Sequence, residues 1–167
     1  EKLRYGENPH QHAAVYSKKH SLDLKQIQGK QLSYNNYNDI FSALTISKSL
    51  PKNSGTVIVK HANPCGVSIN KNNLKSYRLA LACDPVSAFG GIVSCNYKIN
   101  KTLAMELNNI FFEVIIANGF DPEALKILQK KINLRLIDAT SFTIKNLIGF
   151  NSANESILTQ SEDIEKF

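Results

Sequence analysis

A chain of 167 residues, 43% apolar and 20% charged, carries enough apolar side chain to close a sizeable core as one domain or two small ones, which excludes intrinsic disorder. Lys and Arg number 20 against 14 Asp and Glu, and the resulting charge of +6 attracts anions without selecting among phosphate, carboxylate and nucleic acid. Cys65, Cys83 and Cys95 are odd in number and outside any CxxC pair, no apolar run approaches the roughly 20 residues of a membrane helix, and Glu1-Lys2-Leu3-Arg4 opens no secretory signal; a reducing cytoplasm and no membrane partner are expected.

Residues 1–37 are rich in Asn, Gln, His, Tyr and Gly without periodicity, which predicts a loop-rich entry segment leaning on the rest of the chain, of the kind that often lines a substrate-binding site. From Asn38 the pattern changes. Asn38 suits a cap, Asp39 the first turn, and Ile40, Phe41, Leu44 and Ser47 share a helical face up to Leu50, where Pro51 stops it. Thr56-Val57-Ile58-Val59 reads as a strand covered on both faces that delivers Lys60 and His61 to its end, and Pro64-Cys65-Gly66 predicts a tight loop there. The alternation repeats with a helix over 74–83, a strand over 92–95, a helix over 100–110 and a strand over 112–117, the order of an α/β sheet. Asp121-Pro122-Glu123 predicts a helix start, Asp accepting from orphan amides and Pro already at the helical φ, with the end near Lys130. Residues 134–137 are a further strand, 142–150 another at an edge, and 151–167 are polar and weakly patterned, as in a linker or a truncated end. The α/β domain is thus expected over 38–150.

Ligands of open α/β sheets gather beyond the carboxyl ends of strands, where Lys60 and His61 fall. Consecutive strand residues face opposite ways, so both meet one ligand only if the chain turns at His61. They would then offer a cation and an imidazole able to manage a proton and a developing negative charge; the alternative is a snorkelling Lys and a hydrogen-bonded loop His. Asp84-Pro85-Val86-Ser87-Ala88-Phe89-Gly90-Gly91 joins a helix to a strand through small residues. Gly90 and Gly91 allow a ligand close to backbone, and Phe89 either stacks on a flat heterocycle or packs in the core. Walker spacing is missing. In Arg4-Tyr5-Gly6-Glu7-Asn8-Pro9-His10-Gln11, Arg4 suits bidentate phosphate binding and Tyr5 can donate to another oxygen.

His10, His12 and His20 have no carboxylate or thiolate at a fitting spacing, so loop histidines are expected. His61-Ala62-Asn63-Pro64-Cys65 approaches the zinc deaminase pattern, yet Asn63 stands at the acid/base Glu and Ser68 at the second Cys, and no metal is expected. Lysines scattered through every segment, with no aromatic-interleaved basic stripe, argue against a nucleic-acid partner.

The stretches 3–11, 57–66 (Val-Ile-Val-Lys-His-Ala-Asn-Pro-Cys-Gly), 82–91 and 112–117 occur in an order that resembles the AICAR formyltransferase/IMP cyclohydrolase family, to about Asp138. The resemblance implies the first half of the transformylase module, with a cyclohydrolase domain upstream and a second transformylase half downstream. It also implies a cytidine-deaminase-like layered mixed sheet with flanking helices and no zinc. The implied reaction moves a formyl group from 10-formyltetrahydrofolate to the 5-amino group of AICAR, giving formyl-AICAR in de novo IMP biosynthesis, in a cytoplasmic homodimer. By the same resemblance His61 contacts the carboxamide and amine and assists deprotonation, while Lys60 stabilises charge and relays a proton to the leaving folate nitrogen. Arg4 and Tyr5 lie at the nucleotide phosphate, and Phe89, Gly90 and Glu113 around the imidazole carboxamide. Because other family site residues lie in the second half, the chain alone is expected to be inactive. The competing expectation is a non-catalytic nucleotide- or anion-binding piece that works by pairing with other chains.

Overall fold

Short β-branched runs build the centre of the molecule, described here by a computed structural model over residues 1–17, 24–144 and 148–161. They form β2 (Gly55–Lys60), β4 (Ile92–Cys95), β5 (Val114–Ala117) and β6 (Arg135–Asp138), and every residue of β4 and β5 is buried. With β1 (Lys25–Gln28) and β3 (Asn63–Ile69) they make a six-stranded sheet in the order β1-β6-β5-β4-β2-β3. The three strands β4, β5 and β6 run parallel, and β1, β2 and β3 each pair antiparallel with their neighbours.

Alternation along the strands divides the core in two. Val57, Val59, Ile92, Val114, Ile116 and Ile137 pack against Ile40, Ala43 and Leu44 of α1 (Tyr34–Ser49). On the other face Ile58, Val93, Ile115 and Leu136 meet α2 (Asn73–Cys83), α4 (Lys101–Leu107) and α5 (Pro122–Leu128), represented by Tyr77, Leu103 and Leu128. A single turn of helix, α3 (Pro85–Ala88), links α2 to β4. The α/β expectation therefore holds as a mixed sheet between helical layers. No helix among the described residues is long and apolar enough to cross a membrane.

Several boundaries differ from the sequence expectation for identifiable reasons. α1 starts at Tyr34, not near Asn38, because Ser33 caps it: the Ser33 hydroxyl accepts from the Asn36 amide at 3.1 Å, and Asn36 Oδ1 accepts from the Ser33 amide at 3.1 Å. Pro64-Cys65-Gly66 is no loop but part of β3; as an edge strand it tolerates a proline that donates no ladder bond. The turn is His61-Ala62 alone, both left-handed, at φ +51° and +59°, as a two-residue hairpin requires. Within the predicted loop-rich start, Lys25–Gln28 joins the sheet beside β6. Asp121 makes no cap bond to α5; its carboxylate pairs with Lys98 at 2.7 Å. In place of the edge strand expected over 142–150 and the weakly patterned end expected from 151, β7 (Ile148–Ala153) pairs with β8 (Ser156–Ser161) as a hairpin outside the six-stranded sheet.

Candidate active site at the margin of the sheet

β2 runs antiparallel to β4, so the carboxyl end of β2 lies beside the amino ends of the parallel strands. The expected carboxyl-end placement is thus true of β2 alone. Across this margin the chain presents Lys60, then Gly90-Gly91, then Glu113, then Arg135. The pairs Val59–Ile92, Ile92–Val114 and Val114–Arg135 are in register, so Lys60 and Glu113 stand about two strand spacings, roughly 10 Å, apart.

Lys60 is half-buried, and its ammonium donates to the Phe89 carbonyl at 3.0 Å. Gly90 follows at φ +71°, its N–H donating to the Phe111 carbonyl at 2.8 Å. A Cβ on Gly90 would stand 2.9 Å from Lys60 Nζ, so the missing side chain makes room for the ammonium. Gly91 then donates to Ala88 and accepts from the Glu113 amide, each at 3.0 Å, which connects the Lys60 side of the margin to the Glu113 side through backbone. Phe89 is 62% exposed and faces Phe111, 48% exposed, with ring centroids 5.4 Å apart. Of its two expected placements, the core is excluded.

His61 is exposed and its imidazole makes no hydrogen bond among the described residues. Its backbone is held from α1. Asp39 Oδ1 accepts from the Ala62 amide at 2.6 Å and the Ser42 hydroxyl donates to the Ala62 carbonyl at 2.7 Å. Two left-handed non-glycine residues are thus braced by side chains from another layer. Asp39, expected to serve the first turn of α1, serves this hairpin instead.

Glu113 Oε2 accepts from Asn36 Nδ2 at 2.9 Å and lies 3.8 Å from an Arg135 guanidinium nitrogen, whose Nε donates to the Lys30 carbonyl at 3.2 Å. Neither Asn36 nor Arg135 stood out in the sequence. The Ser33-x-x-Asn36 capping spacing was the available signal for Asn36, whereas an Arg opening a strand carries none.

Arg4 and Tyr5 form a second group. The Arg4 guanidinium lies over the Tyr5 ring at 5.6 Å, and their loop closes through Gly6 and Gln11. It leans on the beginning of α1, where Asn35 Nδ2 reaches the Glu7 carbonyl at 3.4 Å. A cavity of about 320 Å³ between this loop and Tyr34 is lined by Gly6, Glu7, Gln11 and His12 among others, and by none of Lys60, His61, Phe89, Gly90 or Glu113. The structure therefore gathers Lys60, His61, Phe89, Gly90 and Glu113 along one margin and keeps Arg4 and Tyr5 on a neighbouring loop with no hydrogen bond or ion pair to them among the described residues. His10 and His12 are exposed, and His20 lies outside the described residues. No group of three potential metal ligands occurs among the described residues.

Comparison with known proteins gives a match to the AICARFT/IMPCHase bienzyme family over residues 1–167. The bifunctional purine biosynthesis protein PurH of Bacillus cytotoxicus is 44% identical over 170 residues, covering 96% of this chain and 32% of that relative. The proteins of the same name from Bacillus cereus (strain B4264) and Bacillus thuringiensis (strain Al Hakam) are each 44% identical over 171 residues, with the same coverage. The chain thus spans about a third of the length of the curated relatives it matches.

Proposed function

The chain belongs to the AICARFT/IMPCHase bienzyme family, and from that premise we propose that it supplies the Lys-His half of a formyl-transfer site acting on AICAR with 10-formyltetrahydrofolate as donor. The observation that carries the reading is the pair Lys60-His61 at the turn after β2, beside the Phe89-Gly90 backbone. The relatives' shared name, a bifunctional purine biosynthesis protein, supports the coarser role; the choice of the formyl-transfer half is ours.

The chemistry is demanding because the amine of AICAR delocalises its lone pair and the formyl carbonyl is an amide. A C–N bond must form from the amine to the formyl carbon while the bond from that carbon to the folate nitrogen breaks, and one proton passes from the first nitrogen to the second. His61, exposed and without a hydrogen bond among the described residues, is free to take the amine proton. Lys60 spends one of its three donors on Phe89; the others can meet the tetrahedral oxyanion and return a proton to the leaving nitrogen. Glu113 accepts from carboxamide or amine N–H groups, Phe89 offers a ring face to the heterocycle, and Arg4 with Tyr5 serves the phosphate. A cytoplasmic homodimer, with the remainder of the site on other parts of the full-length protein, belongs to the same proposal.

The test is turnover in a full-length protein carrying this segment. Lys60→Ala and His61→Ala are each expected to lower kcat by about 10²- to 10⁴-fold, the usual weight of a positioned acid–base group, with the melting temperature within a few degrees of the parent because neither side chain enters the core. Losses of stability that match the losses of activity would overturn the reading.

A further inference from the structure

Asn36 is 4% exposed, yet both ends of its side chain are committed. Oδ1 accepts from the Ser33 amide in the cap of α1, which fixes the orientation of the amide and sends Nδ2 to Glu113 Oε2 at 2.9 Å. The same oxygen lies 3.8 Å from an Arg135 guanidinium nitrogen, an ion pair too long for a hydrogen bond, so among the described residues the Asn36 amide is what anchors Oε2. Oε1 has no hydrogen-bond partner among the described residues, and the Glu113 side chain is 44% exposed. A carboxylate gripped by one oxygen offers the other as a fixed acceptor.

We propose that Asn36 is a positioning residue for Glu113: it anchors Oε2 so that Oε1 is presented to the N–H donors of the bound heterocycle, making the first turn of α1 part of substrate recognition. The proposal rests on the reading of Glu113 as a substrate-binding residue given above. Substrates with an N–H donor at this point are favoured, and analogues carrying only an acceptor there meet an unpaired carboxylate oxygen.

A swap of donor and acceptor tests it in the full-length protein, with KM for AICAR and kcat from formyl transfer, AICAR affinity by calorimetry and thermal melting. Asn36→Asp keeps the acceptor for the Ser33 amide but sets a carboxylate against Glu113; Asn36→Ala removes the donor, together with the Ser33 amide's acceptor, without adding charge and stands in if the first variant does not fold. Each is expected to raise KM and Kd for AICAR about tenfold with kcat changed far less, the weight of one hydrogen bond made in both ground and transition states. Glu113→Gln alone is expected to weaken AICAR similarly. Combined with Asn36→Asp it restores the contact with its direction reversed, the introduced amide donating to the introduced carboxylate, and recovers most of the lost affinity. Unchanged AICAR affinity in both Asn36 variants, or strictly additive losses in the double variant, would overturn the positioning role. If Glu113→Gln alone left both affinity and turnover intact, Glu113 would lose its substrate role and the proposal would fall with it. Calorimetric weakening by the Asn36 variants in a parent protein without formyl transfer would support the positioning role while overturning the assigned reaction.

Discussion

At the position of Gly90 the protein depends on an absent side chain. Its left-handed φ of +71° would cost any other residue about 1–2 kcal/mol, and a Cβ there would meet Lys60 Nζ, the movable end of a long side chain. Gly90→Ala is therefore expected to lower stability by about 1–2 kcal/mol in urea unfolding, and to displace the ammonium from the Phe89 carbonyl so that the proposed formyl transfer, assayed in a full-length protein carrying this segment, falls more than that loss accounts for. An enzyme equally active at saturating substrate would show that the seat of Lys60 is unimportant. At this scale the sequence was informative where chemistry follows a regular pattern: Lys60 and His61 end a β-branched run, and the turn they needed is present. It was silent on Arg135 and marked Asn36 only as a capping residue, whereas the importance of both comes from the carboxylate they reach through space. Glu113 itself was marked by family resemblance, since a lone acid before a buried strand has no local signature.

Among the elements, the apolar join between α1, β2 and β4 is supplemented at the end of α1 by the hydrogen bonds of one side chain. Asn96, buried just beyond β4, accepts through Oδ1 from the Ser54 and Gly55 amides at 3.0 and 2.9 Å, while Nδ2 donates to the Ser47, Leu50 and Pro51 carbonyls at the end of α1. Asn96→Ala strands two buried amides and several carbonyls, and about 3 kcal/mol of destabilisation is expected in chemical denaturation, at the upper end for an unsatisfied buried group. A loss below about 1 kcal/mol would mean that water replaces the side chain without cost. Elements buried on both faces were legible because burial leaves its mark as short runs of adjacent Val and Ile, as in β2, β4 and β5. The strands at the sheet edges were not. β3 is largely exposed and holds a proline, and β1 offers Ile27 as its one apolar residue, so neither carries the pattern that the centre does. β3 can nevertheless approach α2 closely, since a Cβ on Gly66 would collide with the Ala80 carbonyl oxygen. That contact depends on tertiary packing no local window contains.

The molecule as a whole is poised against alkali. Burial pushes the Cys95 thiol up to about 12 from 9.0, and burial likewise raises the Tyr77 and Tyr97 hydroxyls above 10.0. The folded core keeps these protons where the unfolded chain would release them, so their contribution is complete below pH 9 and is lost as pH rises beyond it. Lys48, lowered by desolvation, acts in the opposite sense but is one group against five, since burial also raises Tyr37 and Cys65. The free energy of urea unfolding is expected to hold to about pH 8 and then decline, by about 1.4 kcal/mol per pH unit for each proton retained, and Cys95→Ala should make the decline shallower. A free energy level through about pH 11 would contradict this. The pairing of Lys25 with Asp138, finally, orders events in time. A ribosome emits β1 well before β6, so that edge of the sheet stays open while the strands and helices between them are made, with a long loop still to be closed. Until β6 emerges, β1 is an unpaired ribbon available to the wrong neighbour, a hazard that its short length and polar side chains reduce.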